Sequence, residues 1–280
     1  MRSPRCFCHL ARISLSLSLS LPPSLPPSFT PSLLLSLSWA FLLQVLVVCT
    51  DDGKLKMTNG KVFNTGIAAT ELFLPLLHFK AAGFDFEFAT VSGGAVVLEM
   101  WGFPQKDVAV KGLYEELKPK LQAPKKLDDV DLSLAGLAGI YLPGGHGAMV
   151  NLPESVALGK LLHAAHAAAL PTIALCHGPA GLLAAGKVPG AKSPYEGYKL
   201  VSFPDKVDVK TLPSVGYLPG PIPWLVQDKL RGLGFVITNT AEKGATLVDR
   251  ELITGDGASA SNQLGLVAAP ILVEAWSKRG

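Results

Sequence analysis

From Gln44 onward, short apolar runs with no polar break alternate with longer segments whose apolar residues recur every three or four positions. QVLVVCT (44–50) is such a run, rich in β-branched residues, and marks a strand buried on both faces. FDFEFATV reads as the next strand, and AGIYLPGG and PTIALCHG as further short apolar strands, the first breaking into a Gly turn. Between them TELFLPLLHFKAAG reads as a helix ended by Gly83, with Pro75 expected to kink it or to mark its first turns. SVALGKLLHAAHAAAL reads as a second helix and PAGLLAAG as a third, closing on Gly186. IPWLVQDKLRGLG is expected to be helical, FVITNT a strand, TLVDRELITG a hairpin and SNQLGLVAAPILVEAW a terminal helix, whereas DDGKLKMTNGKVFNTG (51–66) reads as loop. Strands alternating with helices predict an α/β domain over 44–280, with a mostly parallel sheet covered on both faces.

The preceding residues do not share this pattern. Residues 13–38 are a Ser/Leu/Pro repeat with paired prolines that break helix and central strand alike. Residues 1–43 are therefore set apart as a low-complexity leader, whose acid-free, Arg-bearing composition fits an organelle transit peptide and whose repetition fits a gene-model artefact. The run from Leu33 to Leu43 is too short and too interrupted for a membrane span of about 20 residues. A cytoplasmic protein is expected, or a plastid or mitochondrial one if the leader is a real transit peptide.

Charge narrows the partners. The 280 residues carry 25 Lys and Arg against 22 Asp and Glu, and Arg2, Arg5 and Arg12 account for the whole net charge of +3. A neutral body has too weak a field to argue for nucleic acid, and no membrane partner is expected. The four cysteines, Cys6, Cys8, Cys49 and Cys176, show no framework spacing, which suits a reduced compartment.

In open parallel sheets chemistry gathers beyond the carboxyl ends of the strands, and two such ends are chemically loaded. Cys176 follows an apolar strand and precedes a helix beginning near Pro179, the strand–turn–helix context of a nucleophile elbow, with Gly178 allowing the tight turn. A helix N-terminus there favours thiolate; a buried, inert cysteine has the same local pattern. Gly144 and Gly145 end another strand, where a glycine backbone can approach a substrate oxygen, and the N–H of His177 would be a second oxyanion donor. Glu71 lies near the start of an apolar helix, either as a partner of the helix dipole or as a buried acid of raised pKa able to carry protons. His163 and His166 are spaced i, i+3 and could share a helix face, but no carboxylate or cysteine near them in sequence completes a metal set; His78 and His146 stand outside any metal-spaced cluster. Neither a Walker nor a GxGxxG fingerprint occurs, so no nucleotide cofactor is implied.

Taken together, TGIAATELFLPL, AAGFDFEFATVSG, LPGGHGAM, ALCHGPAGLL and GYLPGPIPW resemble the ThiJ/PfpI superfamily, within it the branch of glyoxalase III and chaperone-like protein deglycases, over nearly all of 44–276. The resemblance implies a flavodoxin-like three-layer sandwich and a Cys-His-acid triad of Cys176, His177 and Asp208, the last in the segment from Phe203 to Asp208. It implies that Glu71 contacts the nucleophile and that Gly145 and the His177 backbone are the oxyanion donors. It also implies glutathione-independent conversion of methylglyoxal to D-lactate through a hemithioacetal on Cys176, with deglycation of methylglyoxal adducts by the same chemistry. The expected partners are a small 2-oxoaldehyde, glycated proteins and a second copy of the chain in a homodimer. Some relatives bind a metal at positions that here are Lys80, Asp85 and Leu117, which cannot supply such a site, so neither metal nor other cofactor is expected. The leader replaces a segment that shapes an apolar surface in chaperone relatives, which weakens the rival reading of a stress holdase with a redox-sensitive cysteine. A thiol amidase or peptidase is the other rival, and suits Glu71 less well.

Overall fold

In the computed structural model residues 43–279 are described; the leader reading falls outside them, apart from residue 43. The elements in chain order are β1 (Gln44–Val48), β2 (Lys54–Lys56), β3 (Val62–Asn64), α1 (Ala69–Ala81), β4 (Asp85–Thr90), α2 (Val108–Gln122), β5 (Lys125–Lys126), β6 (Leu137–Leu142), α3 (Val156–Ala167) and β7 (Thr172–Leu175). They continue with β8 (Lys199–Leu200), α4 (Leu212–Ser214), α5 (Val226–Gly232), β9 (Val236–Ile237), β10 (Thr246–Asp249), β11 (Leu252–Gly255) and α6 (Ser261–Ser277).

Seven strands form one sheet in the order β10-β11-β7-β6-β1-β4-β5, with every pairing parallel except β10 on β11. Along β1 the side chains alternate between two cores: Leu46 and Val48 enter one, Val45 and Val47 the other, as a period of two on a doubly covered strand requires. One core packs α1, α2 and α6 through residues such as Phe73, Phe79, Leu117 and Leu272. The other packs α3, the segment after β7 and α5 through Leu158, Leu182 and Leu230. This is the α/β sandwich expected, with a mostly parallel sheet between two helical layers.

Several local readings change. The stretch read as loop contains the β2–β3 hairpin, and α2 was not anticipated although Val110, Leu113, Leu117 and Leu121 form its buried stripe. PAGLLAAG forms a 3-10 run from Gly178 to Lys187 rather than an α-helix, and the IPWLVQDKLRGLG helix begins only at Val226. Pro75 falls inside α1, where it cannot donate to the carbonyl of Glu71 one turn earlier; that carbonyl instead accepts from the hydroxyl of Tyr141 on β6.

Candidate active site

Cys176 is the first residue beyond β7 and has φ +60, a left-handed conformation that costs a side-chain-bearing residue about 1–3 kcal/mol and persists only where the surroundings impose it. They do so from both sides. The Cys176 N–H donates to Gly255 O at 2.9 Å, and the Cys176 carbonyl accepts from Phe203 N at 2.9 Å. The elbow therefore projects the thiol out of the end of the sheet, although the thiol remains buried.

Two acidic arms converge on it. On one side, Cys176 Sγ lies 3.3 Å from His177 Nδ1, and His177 Nε2 lies 3.0 Å from Asp208 Oδ2. Asp208 sits in a π-helical turn, Val207–Thr211, and is almost wholly buried. Its second oxygen, Oδ1, is 2.9 Å from His146 Nε2, and the two imidazole rings stack with centroids 3.9 Å apart. Burial works to raise the Asp208 carboxyl, but His177 and His146 outweigh it and hold the group well below the usual carboxylate range. His146 is lowered from the ordinary histidine value, by burial first and then by His177.

On the other side is Glu71, the third residue of α1 and only 4% exposed, so it is a buried acid rather than a dipole partner on the surface. Burial pushes its carboxyl up to about 8, against a hydrogen bond with the Cys176 side chain that pulls it down; Glu99 and Glu242 add to the rise. The thiol is raised well above its ordinary value by burial and by Glu71 in turn. Oε2 of Glu71 has no hydrogen-bond partner among the described residues, a buried polar atom free for a reacting group.

Gly144 makes this approach sterically possible. A Cβ there would stand 1.9 Å from Glu71 Oε2 and 2.5 Å from Cys176 Cβ. Gly145 follows with φ +98, a conformation that favours glycine, and its N–H donates to the Cys176 side chain. Neither Gly145 N–H nor His177 N–H donates to a backbone carbonyl among the described residues; the first already meets the thiol sulfur, where an oxyanion on the adduct would form.

The structure thus brings together Cys176, His177, Glu71, Asp208, Gly144 and Gly145. It adds His146, which sequence reasoning noticed in PGGHG but gave no role, because its partner Asp208 is 62 residues away. It also adds Glu99, 5% exposed and hydrogen-bonded to Thr65 at 2.5 Å, for which no local pattern gave a signal.

The other histidines are held apart. His78 Nε2 pairs with Asn262 at 2.8 Å, and His163 Nε2 meets the Ala185 carbonyl at 2.9 Å. His166, expected to lack a carboxylate neighbour, has one from another part of the chain: Glu251, at 2.6 Å. The three positions that the resemblance sets against a metal site are otherwise engaged: Lys80 pairs with Glu116, Asp85 with Lys120, and Leu117 is buried in the core. His146, His177 and Asp208 bring three possible ligand atoms within 4.8 Å of one another, but the Nε2 atoms already engage the two carboxylate oxygens. No helix among the described residues is long and apolar enough to cross a membrane.

Comparison with known proteins adds three findings. The DJ-1/PfpI family matches residues 61–201. The protein/nucleic acid deglycase HchA of Pseudomonas aeruginosa (strain UCBPP-PA14) is 43% identical over 240 residues, 84% of this chain and 82% of its own length, and HchA of Staphylococcus aureus (strain Newman) is 42% identical over 236 residues, 83% and 80%. Glyoxalase III from Candida albicans superposes with a TM-score of 0.64 over 82% of this chain and 97% of its own, at 19% identity, a likeness of fold.

Proposed function

Because the chain belongs to the DJ-1/PfpI family and is similar over most of its length to HchA deglycases, we propose that it is a thiol-dependent enzyme of methylglyoxal chemistry. Its reaction is the glutathione-independent conversion of methylglyoxal to D-lactate, and the same first step opens methylglyoxal adducts on proteins. The observation that carries this reading is a buried thiol on a left-handed elbow residue beside a buried carboxyl whose Oε2 has no partner among the described residues, with burial pushing that carboxyl up to about 8. Hydrolysis of an ordinary ester or amide needs no such acid beside the nucleophile. Moving a proton between adjacent carbons does.

Cys176 gives its proton to the ionised form of Glu71 as Sγ adds to the aldehyde carbon. The oxygen of that carbon becomes an oxyanion against the Gly145 and His177 N–H groups and takes the proton back from Glu71, giving the hemithioacetal and leaving Glu71 ionised for the next step. A base then removes the hydrogen on this carbon, the electron pair forms an enediol with the neighbouring carbonyl, and a proton is returned to the second carbon. Glu71, with its free Oε2, is the group placed for both transfers. The product of this step is a lactyl thioester on Sγ. Water, deprotonated by His177 with Asp208 holding the ring, cleaves the thioester, releasing lactate and restoring the thiol. The sum is methylglyoxal plus water to lactate.

The deglycase names of the relatives include nucleic acid. This qualifies the expectation drawn from charge: a neutral body argues against gripping a duplex by its phosphates, but not against reaction at a single glycated base. The test is methylglyoxal loss and D-lactate appearance without glutathione by the full chain, beside Cys176→Ala and Glu71→Gln. Lactate from the wild type and none from either variant supports the assignment. A folded wild type that makes no lactate overturns it.

A further inference from the structure

Glu99 is a buried acid at the site to which the mechanism above gives no task. Its backbone N–H donates to the Ile67 carbonyl at 2.9 Å, next to the bridge between Ile67 and Leu98. Three donors converge on its side chain: the Thr65 hydroxyl at 2.5 Å and the backbone N–H groups of Gly66 and His146. Thr65 and Gly66 lie just before α1, which carries Glu71; His146 follows Gly145, the oxyanion donor. Two backbone hydrogen bonds stitch the same two segments together, Ala68 N to Gly144 O at 3.0 Å and Gly147 N to Gly66 O at 2.9 Å. One carboxyl thus closes a joint whose two sides carry the acid and the oxyanion donor.

We propose that Glu99 is a positioning residue, which ties the Gly145–His146 turn to the segment entering α1 and sets its own charge against Glu71 across that joint. The proposal rests on the reading of Glu71 as the proton carrier. Full burial of a carboxyl inside a loop joint is costly, and a neutral amide or hydroxyl could satisfy part of the same hydrogen bonding. What an amide cannot supply is negative charge. Glu71 interacts with Cys176, Glu99, Glu242, Tyr141 and Tyr217, and Glu99 with Glu71, His146 and Tyr217. Among these, Glu99 and Glu242 are the carboxyls that raise Glu71. Burial lifts the Glu99 carboxyl above the ordinary glutamate value, and Thr65, His146 and the two backbone donors offset only part of that rise. A charge at Glu99 therefore favours the protonated form of Glu71, and through it bears on the thiol.

The test reads the thiol directly and does not depend on which substrate the enzyme takes. Full-chain protein is alkylated with iodoacetamide across pH 6–10, and modification of the Cys176 peptide is followed by mass spectrometry. Glu99→Gln keeps an acceptor oxygen and removes the charge; the midpoint of its alkylation profile is expected to fall by about half to one pH unit. Glu99→Asp keeps the charge on a shorter arm; its midpoint is expected to stay with the wild type while lactate formation falls about tenfold through kcat. A Glu99→Gln midpoint equal to the wild type, or an equal shift in both variants, overturns the proposal and leaves a purely structural clamp. A wild type that makes no lactate overturns the proposed function instead, and the alkylation profile then still decides the effect of Glu99 on the thiol.

Discussion

Among the described residues, two clusters pair a histidine with a carboxylate. In one, His166 Nδ1 lies 2.6 Å from Glu251, whose two oxygens also take the Tyr198 hydroxyl at 2.9 and 3.0 Å, with the Arg250 guanidinium over the Tyr198 ring. In the other, His177 lies 3.0 Å from Asp208. By partners and distances they are alike, and the first is even the shorter contact. They differ in setting: the His166 side chain is 32% exposed and the His177 side chain 2%. The first cluster ties α3 to the loop before β11 and ends in solvent. The second ends on a thiol at a strained elbow, with a second buried acid on its far side. A histidine and a carboxylate at hydrogen-bond distance are common surface architecture; exclusion of water and a nucleophile at the end of the relay make them chemistry.

Replacing residues in both clusters tests this contrast. Cys176→Ala is expected to cost the most, about a thousandfold or more in lactate formation, because no other group on the relay can form the covalent adduct. Glu71→Gln comes next, with turnover falling about 10²–10⁴-fold. The same change should stabilise the protein. Folded Glu71 holds its proton up to about 8, whereas an unfolded glutamate loses it near about 4.3. The folded state thus binds more protons across that window, and wild-type stability falls as pH rises through it. Thermal melts should show Glu71→Gln gaining on the wild type from pH 5 to pH 8, by about 1–3 kcal/mol at the upper end.

Asp208→Asn should lower turnover about tenfold or more and cost about 2–4 kcal/mol, since two buried imidazoles lose their shared anion. Its pH signature is opposite in sense to that of Glu71. The Asp208 carboxyl is depressed in the folded state, so its contribution is present above about pH 4 and is lost as pH falls below it. Acid unfolding followed by circular dichroism should therefore be less steep in the variant. The smallest effect belongs to the other cluster: Glu251→Gln should leave turnover within about twofold and cost about 1 kcal/mol of stability. A large loss of activity there would erase the distinction between the two clusters.

Much of this was legible in the sequence, for identifiable reasons. β6 and β7, and β1 after Gln44, are nearly continuous apolar runs because both faces of a parallel sheet are covered, whereas β4 (DFEFAT) alternates polar and apolar residues in its first half. The elbow was legible because a strand, a cysteine and a glycine-bearing turn are consecutive. α2 is weakly marked in the sequence although its buried positions keep helical spacing, because Gly112 and Pro119 interrupt the pattern. The 3-10 run after Cys176 could not be told from an α-helix, because Gly, Ala and Leu suit both. His146 and Glu99 were invisible as site residues because what gives them a task is a contact across the fold, His146 with Asp208 and Glu99 with Thr65, Gly66 and His146.

The interior proline of α1 has an effect on tolerances. A side chain on a helix normally inherits every small bend and twist of that helix, and an acid that must reach a thiol would drift with it. Here Pro75 frees the carbonyl of Glu71, and a tyrosine on a central strand takes it. The acid is thus gauged against the sheet, the same datum from which β7 launches the thiol. Later turns of α1 can breathe without passing their error to the gap between the two groups.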